Sequence, residues 1–376
     1  MKRGFDRAEY ETRTARAQML MDRAGLGALL LTTEADVRYF TGFLTRFWES
    51  PSRPWFVVVP REGPPKAVIP SIGAALMGRT WVEDIRTWPA PAPEDDGVSL
   101  LAATLREVGG PVGVPMGYET HLRMPLMDFT RVKDLAGLAF TGDAGIVARL
   151  RAVKSPAEIA KIETACRVAG RAFARVPEIA GEGRPLAEVF RDFQRLLLEE
   201  GADWVPYLAG GAAQGGYADV ISPAPETPLC PGDVLMLDTG AVWDGYFCDF
   251  DRNFAVGHVG DGVAEAHARL LEATAAAMEI ARPGARACDL WRAMAGTVGA
   301  GETAGRLGHG LGMQLTEGLS LTAHDETVLE PGMVITLEPG IDRPGGLCMV
   351  HEEVIAITDG QPRALSPLAG GEIPVV

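Results

Sequence analysis

An eight-residue phrase, Pro231-Gly232-Asp233-Val234-Leu235-Met236-Leu237-Asp238, returns 100 residues later as Pro331-Gly332-Met333-Val334-Ile335-Thr336-Leu337-Glu338. Each copy opens on a Pro-Gly turn, runs on as an apolar, β-prone stretch and closes on a carboxylate. A second match lies upstream: the string EIAGEGRPLAEVFRDF from Glu178 resembles EIARPGARACDLWRAM from Glu279, at an offset of 101. Internal repetition of this kind means that one supersecondary unit is used twice. Each unit reads as helix, helix, strand, hairpin. The second half of the chain is therefore expected to fold as two half-domains about a pseudo-twofold axis, with both strand ends, Asp238 and Glu338, at a shared centre.

The first copy carries its own register. Leu235–Trp243 and Tyr246–Val256 are apolar runs separated by Asp244-Gly245, a strong signal for a two-residue hairpin turn. Closing the hairpin there sets Trp243 opposite Tyr246, Gly240 opposite Asp249 and Asp238 opposite Asp251. Side chains alternate along a strand, so the three aspartates share one face, with Gly240 expected to leave open space beside Asp249. Like charges facing each other destabilise a sheet, and a cation reverses that sign; three solvated acids are the plainer reading of this stretch alone. In the second copy, alternation puts Glu352 on one face with Cys348, Val350, Val354 and Ala356, pointing into an apolar layer, and His351 and Glu353 on the other. A bare carboxylate among apolar residues is costly unless a cation or hydrogen bonds meet it. His309 is flanked by Gly308, Gly310 and Gly312, which permit close backbone approach and unusual φ, and a packed core histidine needs neither. Asp238, Asp249, His309, Glu338 and Glu352 thus form an oxygen-rich ligand set with one imidazole, suited to divalent metal. A serine-hydrolase reading of the Gly-His-Gly string fails because the chain has no G-x-S-x-G.

This order of residues is an Asp, a second Asp eleven positions on, a glycine-flanked His, a Glu in Leu337-Glu338-Pro339-Gly340 and a Glu in the pair Glu352-Glu353. It resembles the pita-bread metallopeptidase family, which holds methionine aminopeptidase, aminopeptidase P, prolidase and creatinase. The resemblance runs from Lys154 to Thr358, opening on Lys154-Ser155-Pro156 with Glu158. It implies an α/β N-terminal domain followed by an α+β pita-bread catalytic domain with an internal pseudo-twofold repeat. It also implies two divalent metal ions. Asp238 would chelate one, Asp249 and Glu352 would bridge both, and His309 and Glu338 would complete the second. Two such ions activate a shared water and polarise a scissile carbonyl, and Glu338 would carry the proton to the leaving nitrogen. Manganese, cobalt, iron and zinc all suit the donor set. The implied activity is hydrolysis of an amide-type C–N bond in a small molecule or dipeptide, of the Xaa-Pro dipeptidase or aminopeptidase type, by a homodimer.

The chain departs from that family's pattern in places that bear on substrate. The histidine usual seven residues after the metal histidine is Thr316 here, and the one usual about seventeen residues before the first metal Asp falls on Ile221, in a stretch, 207–222, without any histidine. The usual D-x-[ST]-R reads Asp249-Phe250-Asp251-Arg252, which adds an acid at the site's edge. Losing positioned donors removes transition-state stabilisation, so other groups take their place or the substrate is not an ordinary peptide. Tyr217 and Thr316 are candidate donors to an oxyanion, and Arg306 a candidate grip on a substrate carboxylate; packing is the plainer role for each. The alternatives are a creatinase-like amidinohydrolase or a dimethylsulfoniopropionate-type lyase. A non-catalytic binding module is disfavoured by the complete ligand set.

A length of 376 residues is enough for two domains, expected at 1–150 and 151–376. In the first, Ala8–Ala24 and Leu100–Val108 have helical spacing and Ala28–Leu31, Trp55–Val59 and Ala67–Pro70 are short apolar strands, an α/β pattern. The break is expected near Arg149–Ser155, ahead of a helix with Ser155 as N-cap and Pro156 at its first position. With 50 acidic against 35 basic residues, the composition argues against nucleic-acid binding. No apolar run approaches a membrane span, the N-terminal stretch has no apolar signal core, and five scattered cysteines without a C-x-x-C fit a reducing, cytoplasmic setting. The segment Thr45–Phe56 is rich in aromatics and arginines, with core packing or a dimer interface as its plainer role; the family resemblance implies an N-terminal domain that covers a dimer partner's active site, where Trp48 or Arg53 would line a pocket.

Overall fold

Helix α1 (Arg7–Ala24) stops where Gly25 takes up the left-handed conformation with φ 68°, and the chain turns directly into β1 (Ala28–Leu31). In this computed structural model, which describes residues 3–49, 54–301 and 304–376, two units separate by contact, Met1–Arg151 and Ala152–Val376. The first continues with α2 (Glu34–Thr41), β2 (Phe56–Pro60), β3 (Lys66–Pro70), α3 (Ala74–Met77), β4 (Asp84–Trp88), α4 (Val98–Val108), β5 (Val112–Val114), α5 (Leu126–Ala136), β6 (Phe140–Gly142) and α6 (Ile146–Ala152). Its strands form one mixed sheet in the order β4-β3-β2-β1-β5-β6, with β3–β4, β1–β5 and β5–β6 parallel. Every residue of β1 and β2 is buried, as expected of strands covered on both faces. Leu101 and Leu105 of α4 pack with Leu30 and Val58 on one of them. Trp48 lies in this unit, with the Arg123 guanidinium 5.0 Å from its ring centroid and Trp55 at 6.1 Å; Arg53 lies outside the described residues.

The second unit opens with α7 (Pro156–Ala174). Ser155 caps it reciprocally: its hydroxyl accepts from the Glu158 N–H at 3.3 Å, and Glu158 Oε2 accepts from the Ser155 N–H at 2.9 Å. There follow α8 (Leu186–Glu199), β7 (Leu208–Gln214), β8 (Asp233–Thr239), β9 (Val242–Trp243), β10 (Tyr246–Phe247), β11 (Phe250–Ala255), α9 (Val263–Ile280), α10 (Ala287–Val298), β12 (Val334–Leu337), β13 (Gly340–Arg343), β14 (Leu347–Val350), β15 (Glu353–Ala356) and β16 (Arg363–Ala364). The repeat is visible in these bounds: α8 and α10 begin 101 residues apart, and the strands β8 and β12 carry the two copies of the Pro-Gly phrase. In each half the phrase strand pairs antiparallel with the strand beyond the hairpin, β8 with β11 and β12 with β15.

The first hairpin closes at Asp244-Gly245, both with positive φ (48° and 79°), the backbone a two-residue turn of this hand requires. Trp243 pairs with Tyr246, Thr239 with Phe250 and Asp238 with Asp251, so the register runs unbroken and Gly240 faces Asp249. The space above Gly240 is not open, contrary to expectation. Leu315 fills it, and a Cβ there would collide with that side chain. In the second copy Gly340 pairs with Val350 and Leu337 with Glu353, which sets Glu338 opposite Glu352. Here too the structure corrects the simple reading. The strand is interrupted after Val350 and resumes at Glu353, so His351 and Glu352 sit between β14 and β15 and need not obey strict alternation. Apolar side chains of α9, α10, β12 and β15, among them Leu270, Trp291, Ile335 and Ile355, form the core behind these strands. No helix among the described residues is long and apolar enough to cross a membrane.

Candidate metal centre

Three of the five candidate ligands converge tightly. One ligand atom from each of Asp249, His309 and Glu352 lies within 4.8 Å of the others, with His309 Nε2 at 3.3 Å from Asp249 Oδ2 and 4.0 Å from Glu352 Oε1. All three are buried. Asp238, also buried, and half-buried Glu338 flank them, close enough for their charges to act on this cluster.

Local structure explains the aim of the imidazole. The His309 N–H donates to the Thr336 hydroxyl at 3.1 Å and its carbonyl accepts from the Thr336 N–H at 2.7 Å, so the loop is tied to β12. Gly308 has φ 135°, and a Cβ there would strike the Thr336 carbonyl oxygen; a Cβ on Gly310 would strike that of Glu317. The glycines are needed for close packing of the loop on both sides. His309 Nδ1 sits 3.0 Å from the Gly310 carbonyl. A donor on Nδ1 leaves the Nε2 lone pair facing the two carboxylates, the tautomer a metal ligand needs. A buried ion pair, Lys154 Nζ to Glu317 Oε1 at 3.0 Å, pins the far end of the same loop.

The electrostatics call for cations. Burial, reinforced by mutual repulsion, pushes the Asp238, Asp249 and Glu352 carboxyls well above their ordinary range. Glu338 is raised too, mainly by burial, with the His309 and Arg306 charges opposing. Asp238 Oδ1, Asp249 Oδ1, Asp251 Oδ2 and Glu352 Oε1 are all buried without a hydrogen-bond partner. Buried polar atoms are almost always satisfied, and the unsatisfied oxygens of Asp238, Asp249 and Glu352 beside one imidazole lone pair match the donors that hard or borderline divalent cations take.

The auxiliary candidates divide. Arg306, exposed, donates to the Thr316 hydroxyl at 3.4 Å, and its charge lowers the Asp249 and Glu338 pKa values, so these two stand together at the mouth of the cluster. Tyr217 does not serve as expected. It is 1 % exposed and packed in the core, where its hydroxyl accepts from the Val350 N–H at 2.6 Å and donates to Asn253 Oδ1 at 3.2 Å. The tyrosine that does reach the acids is Tyr207, whose hydroxyl donates to Asp238 Oδ2 at 2.9 Å. It lies just before β7, and β7 pairs Ala209 with Asp238; without that pairing nothing in the sequence marks it. His351, expected to face away from the site, meets Asp251 Oδ1 at 3.6 Å through the break between β14 and β15.

Comparison with known proteins agrees with this geometry. The model of the Metallopeptidase family M24 matches residues 160–359, more than half of the chain, and that of the Creatinase/Prolidase N-terminal domain matches residues 13–153. The chain belongs to metallopeptidase family M24. Divalent-metal binding comes with membership of this family, and the donor set above fits it. Among M24 relatives, the chain is 29% identical over 363 residues to the probable dipeptidase PepE of Mycobacterium tuberculosis, covering 95% of this chain and 94% of the other. It is 30% identical over 272 residues to the Xaa-Pro dipeptidase of Pyrococcus horikoshii, covering 70% and 73%. The crystal structure of dipeptidase PepE from Mycobacterium ulcerans superposes with a TM-score of 0.84 at 27% identity, covering 99% of each chain. The pita-bread fold, with its creatinase-type N-terminal domain, is thereby established.

Proposed function

We propose that this M24 chain is a two-metal Xaa-Pro dipeptidase, and that Asp238, Asp249, His309, Glu338 and Glu352 hold the ions. The observation that carries the reading is the buried Asp249–His309–Glu352 cluster with its unpartnered carboxylate oxygens. Relatives named dipeptidase PepE and Xaa-Pro dipeptidase support the substrate class. Manganese is the first ion to try, given four carboxylates to one imidazole. When bound, the ions supply Lewis acidity and an activated water. Asp249, Glu352 and Asp238 would hold the ions, with Asp238 oriented by the Tyr207 hydroxyl. Glu338, raised by burial and half-buried, is suited to accept a proton at its carboxylate and return it to the leaving nitrogen. Arg306, braced on Thr316, would grip the dipeptide's C-terminal carboxylate. Ile221, 87 % exposed, and Thr316 stand at the positions of the family's usual imidazoles, so other donors would have to meet the substrate oxyanion while the metal ligands remain in place. A cytoplasmic homodimer completes the proposal; the described cysteines are all free, and the mass in solution tests the dimer.

The test is incubation of the Mn2+-loaded protein with dipeptides ending in proline, with creatine and dimethylsulfoniopropionate as comparisons. Release of two free amino acids from the dipeptide is expected, falling by about 10²- to 10⁴-fold in Glu338→Gln. An intact dipeptide alongside turnover of either comparison substrate would move the enzyme to a non-peptidase member of the fold.

A further inference from the structure

Asp251 has no part in the ligand set, yet the chain buries it to 1 % exposure and leaves its Oδ2 without a partner. Its position in the repeat is informative. Asp251 faces Asp238 across β8 and β11 as Glu352 faces Glu338 across the second copy. It is therefore the pseudo-twofold counterpart of Glu352, and the two meet where β11 approaches β15. Asp251 Oδ1 accepts the Glu352 N–H at 2.9 Å, and the next residue, Arg252, donates from NH1 to the Glu352 carbonyl at 3.2 Å. Two consecutive residues of β11 thus hold both backbone polar groups of Glu352, which lies in the break between strands where no ladder fixes it.

The holder is itself held. His351 Nδ1 stands 3.6 Å from Asp251 Oδ1 and its Nε2 stands 3.3 Å from Glu353 Oε1. Glu353 is fixed in turn by Arg252 at 3.0 Å, by the Ala369 N–H at 2.8 Å and by the Ser366 hydroxyl. The imidazole thus bridges two buried acids, one behind the metal cluster and one tied to the C-terminal segment.

From this arrangement we infer that Asp251, propped by His351, is a positioning residue of the metal centre that sets the Glu352 carboxylate through its backbone. The inference rests on the metal site proposed above. It differs from a ligand role: Asp251 acts by accepting a hydrogen bond, so an acceptor of the same shape should replace it.

The experiment is Mn2+ titration by calorimetry, with the electron paramagnetic resonance spectrum of the loaded protein, on wild type, Asp251→Ala, Asp251→Asn and His351→Ala. Wild type is expected to bind two ions with a coupled dimanganese spectrum. Asp251→Ala should weaken the weaker of the two binding steps by about 10- to 100-fold and alter the spectrum. Asp251→Asn, which keeps the acceptor, should stay close to wild type in both. His351→Ala leaves the Glu352 hydrogen bond and removes its prop, and should weaken the same step by a smaller factor; it reports even if Asp251→Ala does not fold. Wild-type affinity and spectrum in either alanine variant, or a loss in Asp251→Asn as deep as in Asp251→Ala, overturns the inference. A wild-type protein that binds no Mn2+ would instead overturn the metal site on which it rests.

Discussion

Chelation should make this protein's stability fall as pH rises. Asp238, Asp249, Glu338 and Glu352 all have folded-state pKa values above those of free carboxyls, chiefly because burial disfavours their charge. An acid raised on folding contributes stability that is fully present below its unfolded pKa and is lost as pH rises through its folded pKa. Above the ordinary carboxyl range the unfolded groups are ionised, while the folded cluster, raised by burial, holds its protons to higher pH. Each proton retained gives a slope of about 1.4 kcal/mol per pH unit. His351, raised by Asp251 and Glu353 against its own burial, adds with the same sign, whereas His267, lowered by burial, opposes below its ordinary range. The contrast between chelated and Mn2+-saturated protein removes the His267 contribution, which both forms share. Metal replaces protons at the cluster, so its stabilising effect grows with pH. Urea unfolding at pH 5, 6 and 7, with EDTA and with Mn2+, reads both quantities. A chelated protein equally stable at pH 5 and 7, or a gap between the two forms that does not widen with pH, would refute the idea that these acids crowd one dry site.

Three further outcomes follow from the same contacts. Tyr207→Phe removes the donor to Asp238 Oδ2 and should weaken metal binding about tenfold by calorimetry while the thermal midpoint of the chelated protein hardly moves. Gly308→Ala must strain a φ of 135° and push against the Thr336 carbonyl, costing about 1–3 kcal/mol in urea unfolding, with loss of bound metal as His309 shifts. Lys154→Met leaves Glu317 without its buried cation and should cost about 3–5 kcal/mol by the same assay.

Much of the catalytic half was legible because its signals are local and doubled. The Pro-Gly phrase fixed where strands begin, and Asp244-Gly245 fixed the register that sets Asp238 against Asp251. The same logic extends to Glu338 and Glu352, but the hairpin between them is longer and has no two-residue turn, so their opposition shows only in the paired structure. The errors share one cause. Gly240, Tyr217 and Tyr207 take their roles from segments distant in sequence: Leu315 fills the gap, Val350 and Asn253 occupy one phenol, and β7 delivers the other to Asp238. The break at His351–Glu352 is likewise invisible in a run whose alternation looks uninterrupted. In the N-terminal unit, short apolar strands announced themselves, whereas the order β4-β3-β2-β1-β5-β6 is a property of pairing that no single strand encodes.

The most direct test of the central claim is a crystal of the Mn2+-loaded protein measured at the manganese absorption edge. The account predicts two anomalous peaks about 3.5–4 Å apart, with Asp249 and Glu352 between them, His309 and Glu338 on one ion and Asp238 on the other. A single peak away from Asp249, His309 and Glu352, or none at saturating Mn2+, would contradict it.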